Sequence, residues 1–187
     1  MFLKSTNSLV GAGSPILLPK AGPDHVDYEA ELAVIIGKEI KNIAPESVFD
    51  AILGYTCGND VSARDWQFNK QKKQWARGKS FDTFCPLGPW LVTAEEIPDP
   101  GNLRITTILN GMVLQDSNTA NMIFSVPEIV SNLSQSMTLY PGTVILTGTP
   151  EGVGFTRQPP VFLKDGDIVT IRIEKIGELT NPVKSEP

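Results

Sequence analysis

The sequence is poor in histidine, cysteine and positive charge. A single histidine, His25, stands among 187 residues, and no serine or cysteine pairs with it by any recognisable pattern, so a hydrolytic triad has no support. His25 reads as a loop residue. There are only two cysteines, Cys57 and Cys85, too few for a disulfide framework, and they read as ordinary buried thiols of a reducing compartment. Sixteen basic residues stand against 21 acidic ones, a formal net charge of −5. That balance offers no basic field to neutralise phosphates and argues against general nucleic-acid binding. Trp66, Trp75 and Trp90 therefore read as core or interface aromatics rather than platforms for stacked bases. No apolar run approaches the roughly 20 residues of a membrane-spanning helix, so no membrane partner is expected. Met1 to Ser5 lack the basic-then-apolar pattern of a signal or transit peptide. The expected compartment is the cytoplasm, or the mitochondrion if a further N-terminal segment exists.

What is present suits one globular domain spanning residues 1–187, with 41% hydrophobic and 20% charged residues. Sixteen glycines and 15 prolines punctuate the chain into short elements, which argues against a helical bundle and for a mixed α/β, mostly β fold with a few short helices. Asp27 to Lys38 begins with polar/apolar alternation and closes on a β-branched run, as a strand entering the interior does. Pro45 to Leu53 suggests a helix, with Val48, Phe49, Ile52 and Leu53 as its apolar stripe. Leu103 to Asp116 reads as a hairpin turning at Asn110-Gly111, a pair that tolerates positive φ at both positions. A second helix should start at Ser125, where Ser125 and Glu128 form a capping box around Pro127. Thr143 to Thr147 and Asp167 to Glu174 read as further strands, the latter alternating Val169, Ile171 and Ile173 with polar residues.

The chemistry-bearing residues are acidic. Glu29 and Glu31 are two apart on the first predicted strand, so both side chains leave one face about 7 Å apart along the backbone. Tyr28, Ala30 and Leu32 face the other way. Two adjacent carboxylates repel unless a positive charge lies between them, and a hard divalent cation takes oxygen ligands. For a bare E-x-E the commoner case is a solvated strand face. A second acidic stretch, Gly58 to Asp65, follows an apolar run and reads as turn-like, and its Asp60 could complete a three-carboxylate site. Lys79 supplies a cation and the Thr147-Gly148-Thr149-Pro150 turn supplies backbone donors suited to a small carboxylate. Each of these taken alone is more commonly a surface lysine and an ordinary turn.

The blocks Asp27 to Lys38, Gly54-Tyr55, Asn59 to Asp65 and Gly78-Lys79-Ser80-Phe81-Asp82-Thr83 occur in an order that resembles the fumarylacetoacetate hydrolase superfamily. Pro86-Leu87-Gly88-Pro89, Asn110-Gly111, Ser117-Asn118-Thr119, Thr147 to Pro150 and Leu163 to Asp167 extend the resemblance over nearly the whole chain, toward the branch similar to oxaloacetate tautomerases. It implies a β-roll core of the family's C-terminal type that usually forms homodimers. It also implies Mg²⁺ or Mn²⁺ held by Glu29, Glu31 and Asp60, with Arg64 and Lys79 as catalytic groups and Gln67, Gly148 and Thr149 lining the substrate pocket.

The resemblance and the residues agree on a small 2-oxo acid as substrate, because its carboxylate and ketone oxygens can chelate a metal that then stabilises an enolate. Hydrolytic members of the family use a histidine, often with a glutamate, to activate water, and His25 matches no such position. The region that carries a lid in many members is expected to be absent or very short here. The first expectation is therefore keto–enol tautomerisation of an oxaloacetate-like substrate. Hydrolysis of an acylpyruvate and decarboxylation of oxaloacetate come second on the same site. An inactive lidless homologue serving as a binding subunit is the alternative of another class.

Overall fold

The computed structural model describes residues 1–70, 72 and 74–187. In chain order its strands are Leu9–Val10 (β1), Ile16–Leu18 (β2), Val26–Asp27 (β3), Ala30–Ile36 (β4), Ile52–Asn59 (β5), Ser62–Ala63 (β6), Cys85–Thr93 (β7), Arg104–Leu109 (β8), Met112–Asn118 (β9), Val144–Leu146 (β10), Ile168–Ile173 (β11) and Gly177–Ser185 (β12). The helices are a single turn at Trp75–Gly78 (α1) and the longer Val126–Ser136 (α2). One five-stranded sheet runs β1-β7-β5-β4-β10, the other runs β2-β12-β11-β8-β9, and β3 pairs with β6 in a small ribbon.

Local alternation accounts for much of this. In β11, Val169, Ile171 and Ile173 are each 1% exposed while Ile168 and Arg172 face solvent, as period-2 patterning requires of a sheet covered on one face. The β8–β9 hairpin turns at Asn110 and Gly111, with φ of 50° and 83°. Ser125 and Glu128 close the capping box of α2, each taking up a donor that the first helical turn would otherwise leave unpaired.

Other elements depart from expectation. The stretch from Asp27 is broken at Tyr28-Glu29, so β3 and β4 are separate strands, and β4 is buried along its whole length. Leu32, Val34 and Ile36 belong to the main core, whereas Glu31 lies on the opposite face. The Pro45 element is a 3₁₀ helix that stops at Ala51, and Ile52 and Leu53 already belong to β5. With three residues per turn the supposed stripe does not line up, and Phe49 and Leu53 are exposed while Val48 is buried. The stretch from Gly58 is not a single turn either: Gly58 and Asn59 end β5, and Ser62-Ala63 pair with β3. Of the tryptophans, Trp75 and Trp90 are exposed and only Trp66 packs against the core, with the Arg77 guanidinium 4.5 Å above its ring. His25 sits in an exposed turn with its ring edge-on to Phe162. Among the described residues no helix is long and apolar enough to cross a membrane.

Both cysteines are free and buried. Burial pushes the Cys57 thiol up to about 12 and the Cys85 thiol up to about 11. At pH 8 neither carries an appreciable thiolate fraction, and the thiolate is the nucleophile. Iodoacetamide should leave both residues unmodified in the folded protein and modify both after unfolding in guanidinium, as read by intact mass. Rapid labelling of folded protein would contradict this.

Candidate metal centre

The break between β3 and β4 is what makes the centre. Glu29 lies in the break and Glu31 on β4, while the Asp60 amide N–H donates to the Glu29 carbonyl at 2.9 Å and brings the end of β5 alongside. The Asn59 side chain fastens the same junction by accepting from the Glu29 amide at 3.0 Å. One oxygen from each of Glu29, Glu31 and Asp60 then lies within 4.8 Å of the other two. All three residues are buried, at 8%, 4% and 1% exposure. The solvated strand face is thereby ruled out.

Cations surround the cluster on one side. The Lys79 ammonium lies 2.7 Å from both Glu29 Oε2 and Asp60 Oδ2, and Lys79 is 1% exposed. Lys4, from the N-terminal segment, reaches Asp60 Oδ1 at 2.5 Å and also donates to the Lys79 carbonyl. The Phe2 ring lies 5.0 Å from the Lys79 ammonium. Arg64 bridges outward, contacting Glu29 Oε1 at 2.7 Å, donating to Gln67 Oε1 at 2.8 Å and gripping Asp27 Oδ2 through Nε and Nη2. Asp27 is fully buried and also accepts from the amides of Tyr28, Gly154 and Phe155. It is the fixed end of the Arg64 chain, since a carboxylate with that many donors has little freedom to turn.

The remaining ligand is the under-compensated one. Glu31 Oε2 accepts from the Gly148 amide at 2.6 Å, but no lysine or arginine of the described residues reaches Glu31. Burial, and then the neighbouring Asp60 and Glu29 charges, hold its pKa well above the usual carboxylate range. Burial raises Glu29 as well, against the pull of Lys79. For Asp60 burial is outweighed by Lys4 and Lys79, which hold it below the ordinary value. Burial likewise acts to lower Lys79, but Asp60 and Glu29 prevail and keep it firmly an ammonium. When all four are ionised, the buried carboxylates of Asp27, Glu29, Glu31 and Asp60 face three cations, Lys4, Arg64 and Lys79. A deficit of one positive charge beside three converging oxygens fits a hard divalent cation.

All three residues expected to line the substrate pocket are engaged with the protein. The Gly148 amide is taken by Glu31, and Thr149 Oγ1 accepts from the Gln115 side chain at 2.9 Å. Gln67 is 2% exposed and holds Arg64. A cavity of about 530 Å³ is lined by Leu32, Asn118, Phe124, Gly148 and Thr149 among others, but by none of the three clustered carboxylates. Its walls are mostly apolar, and the Thr147–Pro150 loop is shared between this cavity and the carboxylate cluster, through the Gly148 amide on Glu31. Sequence reasoning missed Lys4, Asp27 and Gln115. Asp27 opened a block used for the resemblance, but nothing beside it in sequence marks its pairing with Arg64, 37 positions away, and nothing beside Lys4 marks its pairing with Asp60, 56 positions away.

Comparison with known proteins agrees with this geometry. The family model for the C-terminal part of fumarylacetoacetate hydrolase matches residues 1–184. The chain is 52% identical over 183 residues to a mitochondrial oxaloacetate tautomerase of Xenopus laevis, covering 98% of this chain and 57% of the frog protein. It therefore spans little more than half the length of that relative. Among solved structures, a 2-hydroxyhepta-2,4-diene-1,7-dioate isomerase from Mycobacterium marinum is 49% identical with a TM-score of 0.89, covering 99% of this chain and 68% of that one. A fumarylacetoacetate hydrolase from Exiguobacterium antarcticum is 43% identical with a TM-score of 0.92, covering 98% and 65%. With the fold, the acidic triad and these matches in agreement, the chain belongs to the fumarylacetoacetate hydrolase family.

Proposed function

We propose that this chain is the catalytic core of a Mg²⁺- or Mn²⁺-dependent enzyme that interconverts the keto and enol forms of an oxaloacetate-like 2-oxo dicarboxylate. The observation that carries the reading is the buried triad of Glu29, Glu31 and Asp60, short of one positive charge and flanked by the Lys79 ammonium. A divalent cation held there supplies Lewis acidity that lowers the energy of an enolate. Lys79 acts as fixed positive charge rather than as a base, because its two carboxylate partners keep it protonated. Arg64, clamped by Asp27, contributes a second cation whose position does not depend on substrate. Gln67 fixes one edge of that guanidinium and orients the substrate beside it. Thr149 receives a substrate carboxylate, and Gly148 acts indirectly by holding Glu31. Enol formation needs a polarised ketone and a proton passed from the neighbouring carbon to solvent water, with no water activated as a nucleophile.

The names of relatives support the order of preference: the frog protein is a tautomerase and the Mycobacterium marinum structure an isomerase. The Exiguobacterium relative is named a hydrolase, which keeps carbon–carbon cleavage as the second reading. Two supports exist for the remaining proposals. Exposed Ile123 and Phe124 suit a homodimer interface, and the mitochondrial name of the frog relative agrees with a reducing compartment for two free thiols.

The test is to load the chain with Mn²⁺ and follow decay of the oxaloacetate enol by absorbance, alongside assays for CO₂ release and for cleavage of acetylpyruvate to acetate and pyruvate. Enol decay accelerated at least tenfold over the metal blank is expected, with the other two products at background. Faster acylpyruvate cleavage would make the protein a hydrolase, and CO₂ release a decarboxylase. Metal binding with no turnover of any of these would make it a binding subunit.

A further inference from the structure

Gln115, in the middle of β9, is 1% exposed and uses its whole side-chain amide. Its Oε1 accepts from the Ala30 amide N–H at 3.0 Å and from Thr107 Oγ1 at 2.6 Å. Its Nε2 donates to Thr149 Oγ1 at 2.9 Å and to the Pro150 carbonyl at 2.8 Å. The orientation of this amide is not open to choice. A backbone N–H can only donate and a backbone carbonyl can only accept, so Ala30 and Pro150 together decide which end of Gln115 is oxygen.

The consequence falls on Thr149. A threonine hydroxyl carries one proton and can point it either way, but here an N–H already occupies its oxygen from one side. Its proton is directed elsewhere, and no described residue accepts it. Ala30 lies between Glu29 and Glu31, so the same amide fastens the Thr149 loop to the strand bearing the carboxylates. We propose that Gln115 is a positioning residue that turns the Thr149 hydroxyl proton outward, free to donate, and so favours an anionic, carboxylate-bearing group at the Thr147–Pro150 loop. This rests on the 2-oxo dicarboxylate reading and specifies how that site recognises the acid.

The test uses the full chain loaded with Mn²⁺ and malonate as a non-reacting carboxylate probe, so that binding is read without any assumption about the reaction. Gln115→Met keeps the side-chain volume but frees the Thr149 proton to turn to the Pro150 carbonyl, and should weaken malonate binding roughly tenfold, the scale of one hydrogen bond to a charged group. Gln115→Glu, which can accept that proton outright, should weaken it further. Thr149→Val should cost about as much as Gln115→Met. Adding Gln115→Met to Thr149→Val should cost almost nothing more, because the only route of action has been removed. Mn²⁺ affinity measured without malonate should change less than twofold in Gln115→Met. Independent, multiplying losses in the double variant, or unchanged malonate affinity in either single variant, would overturn the proposal. Should Gln115→Glu melt early, Gln115→Met carries the test alone. Failure of the tautomerase reading shows differently, as malonate binding with no enol turnover by the unaltered protein.

Discussion

Glu31→Gln should abolish metal binding and turnover while leaving the metal-free protein as stable as before, or more so. The side chain keeps its shape, and its amide oxygen can still accept from the Gly148 N–H. What disappears is a buried negative charge that no cation of the described residues offsets. Removing an uncompensated buried charge gains stability, here on the order of 1 kcal/mol, roughly 2–4 °C for a domain of this size. The metal effect has the opposite sign. A ligand at a hundred times its dissociation constant stabilises by about 2.7 kcal/mol, so Mn²⁺ should raise the melting temperature of the unaltered chain by roughly 5–10 °C and that of Glu31→Gln hardly at all. The pH dependence follows from the raised pKa of Glu31. A carboxyl that holds its proton more tightly folded than unfolded contributes stability below its unfolded pKa, and this is lost as pH rises through the folded value. The stability advantage of Glu31→Gln should therefore grow with rising pH, while the Mn²⁺ affinity of the unaltered protein falls as pH drops. Thermal melts with and without Mn²⁺ at several pH values check both. A variant that binds Mn²⁺ normally would remove Glu31 from the ligand set.

Lys79→Met is the mirror case. Its ammonium is shared between Glu29 and Asp60, both buried, and taking one partner out of a buried ion pair typically costs 3–5 kcal/mol. The metal-free variant should melt roughly 6–20 °C lower, with Lys4 and Arg64 as the remaining counter-charges. A divalent cation supplies the missing charge, so Mn²⁺ should restore much of the loss and should bind more tightly than to the unaltered chain. Turnover in the metal-loaded variant should still be down by about 10²–10³, the scale for removing one preorganised group that stabilises developing negative charge. Melting curves separate the structural role from the catalytic one: full activity in the metal-loaded variant would leave Lys79 as a stabilising charge only.

These opposite signs could not have been written from the sequence. The spacing of Glu29 and Glu31 suggested one face of a single strand, whereas only Glu31 lies on β4 and Glu29 sits in the break before it, and the family resemblance added Asp60 and Lys79. Whether that face was wet or buried was not legible, because Lys79 against Glu29 and Gly148 against Glu31 come from 50 and 117 positions away. Lys4 and Gln115 were missed for the same reason. Each acts on partners tens of residues away, and nothing in its own neighbourhood marks it.

What the sequence by itself determined is local. The Asn110-Gly111 turn, the Ser125–Glu128 capping box and the alternation of Val169, Ile171 and Ile173 follow from dihedral preference, hydrogen bonding and period within a few residues. The Pro45 stretch shows the limit, since an amphipathic pattern over Pro45 to Leu53 does not separate an α-helix from a 3₁₀ helix that hands its last apolar residues to a strand. Only the tertiary structure decided the electrostatics. Desolvation and pairing depend on what lies across the fold, and three carboxylates became a site for a cation because long-range packing buried them together with one positive charge too few.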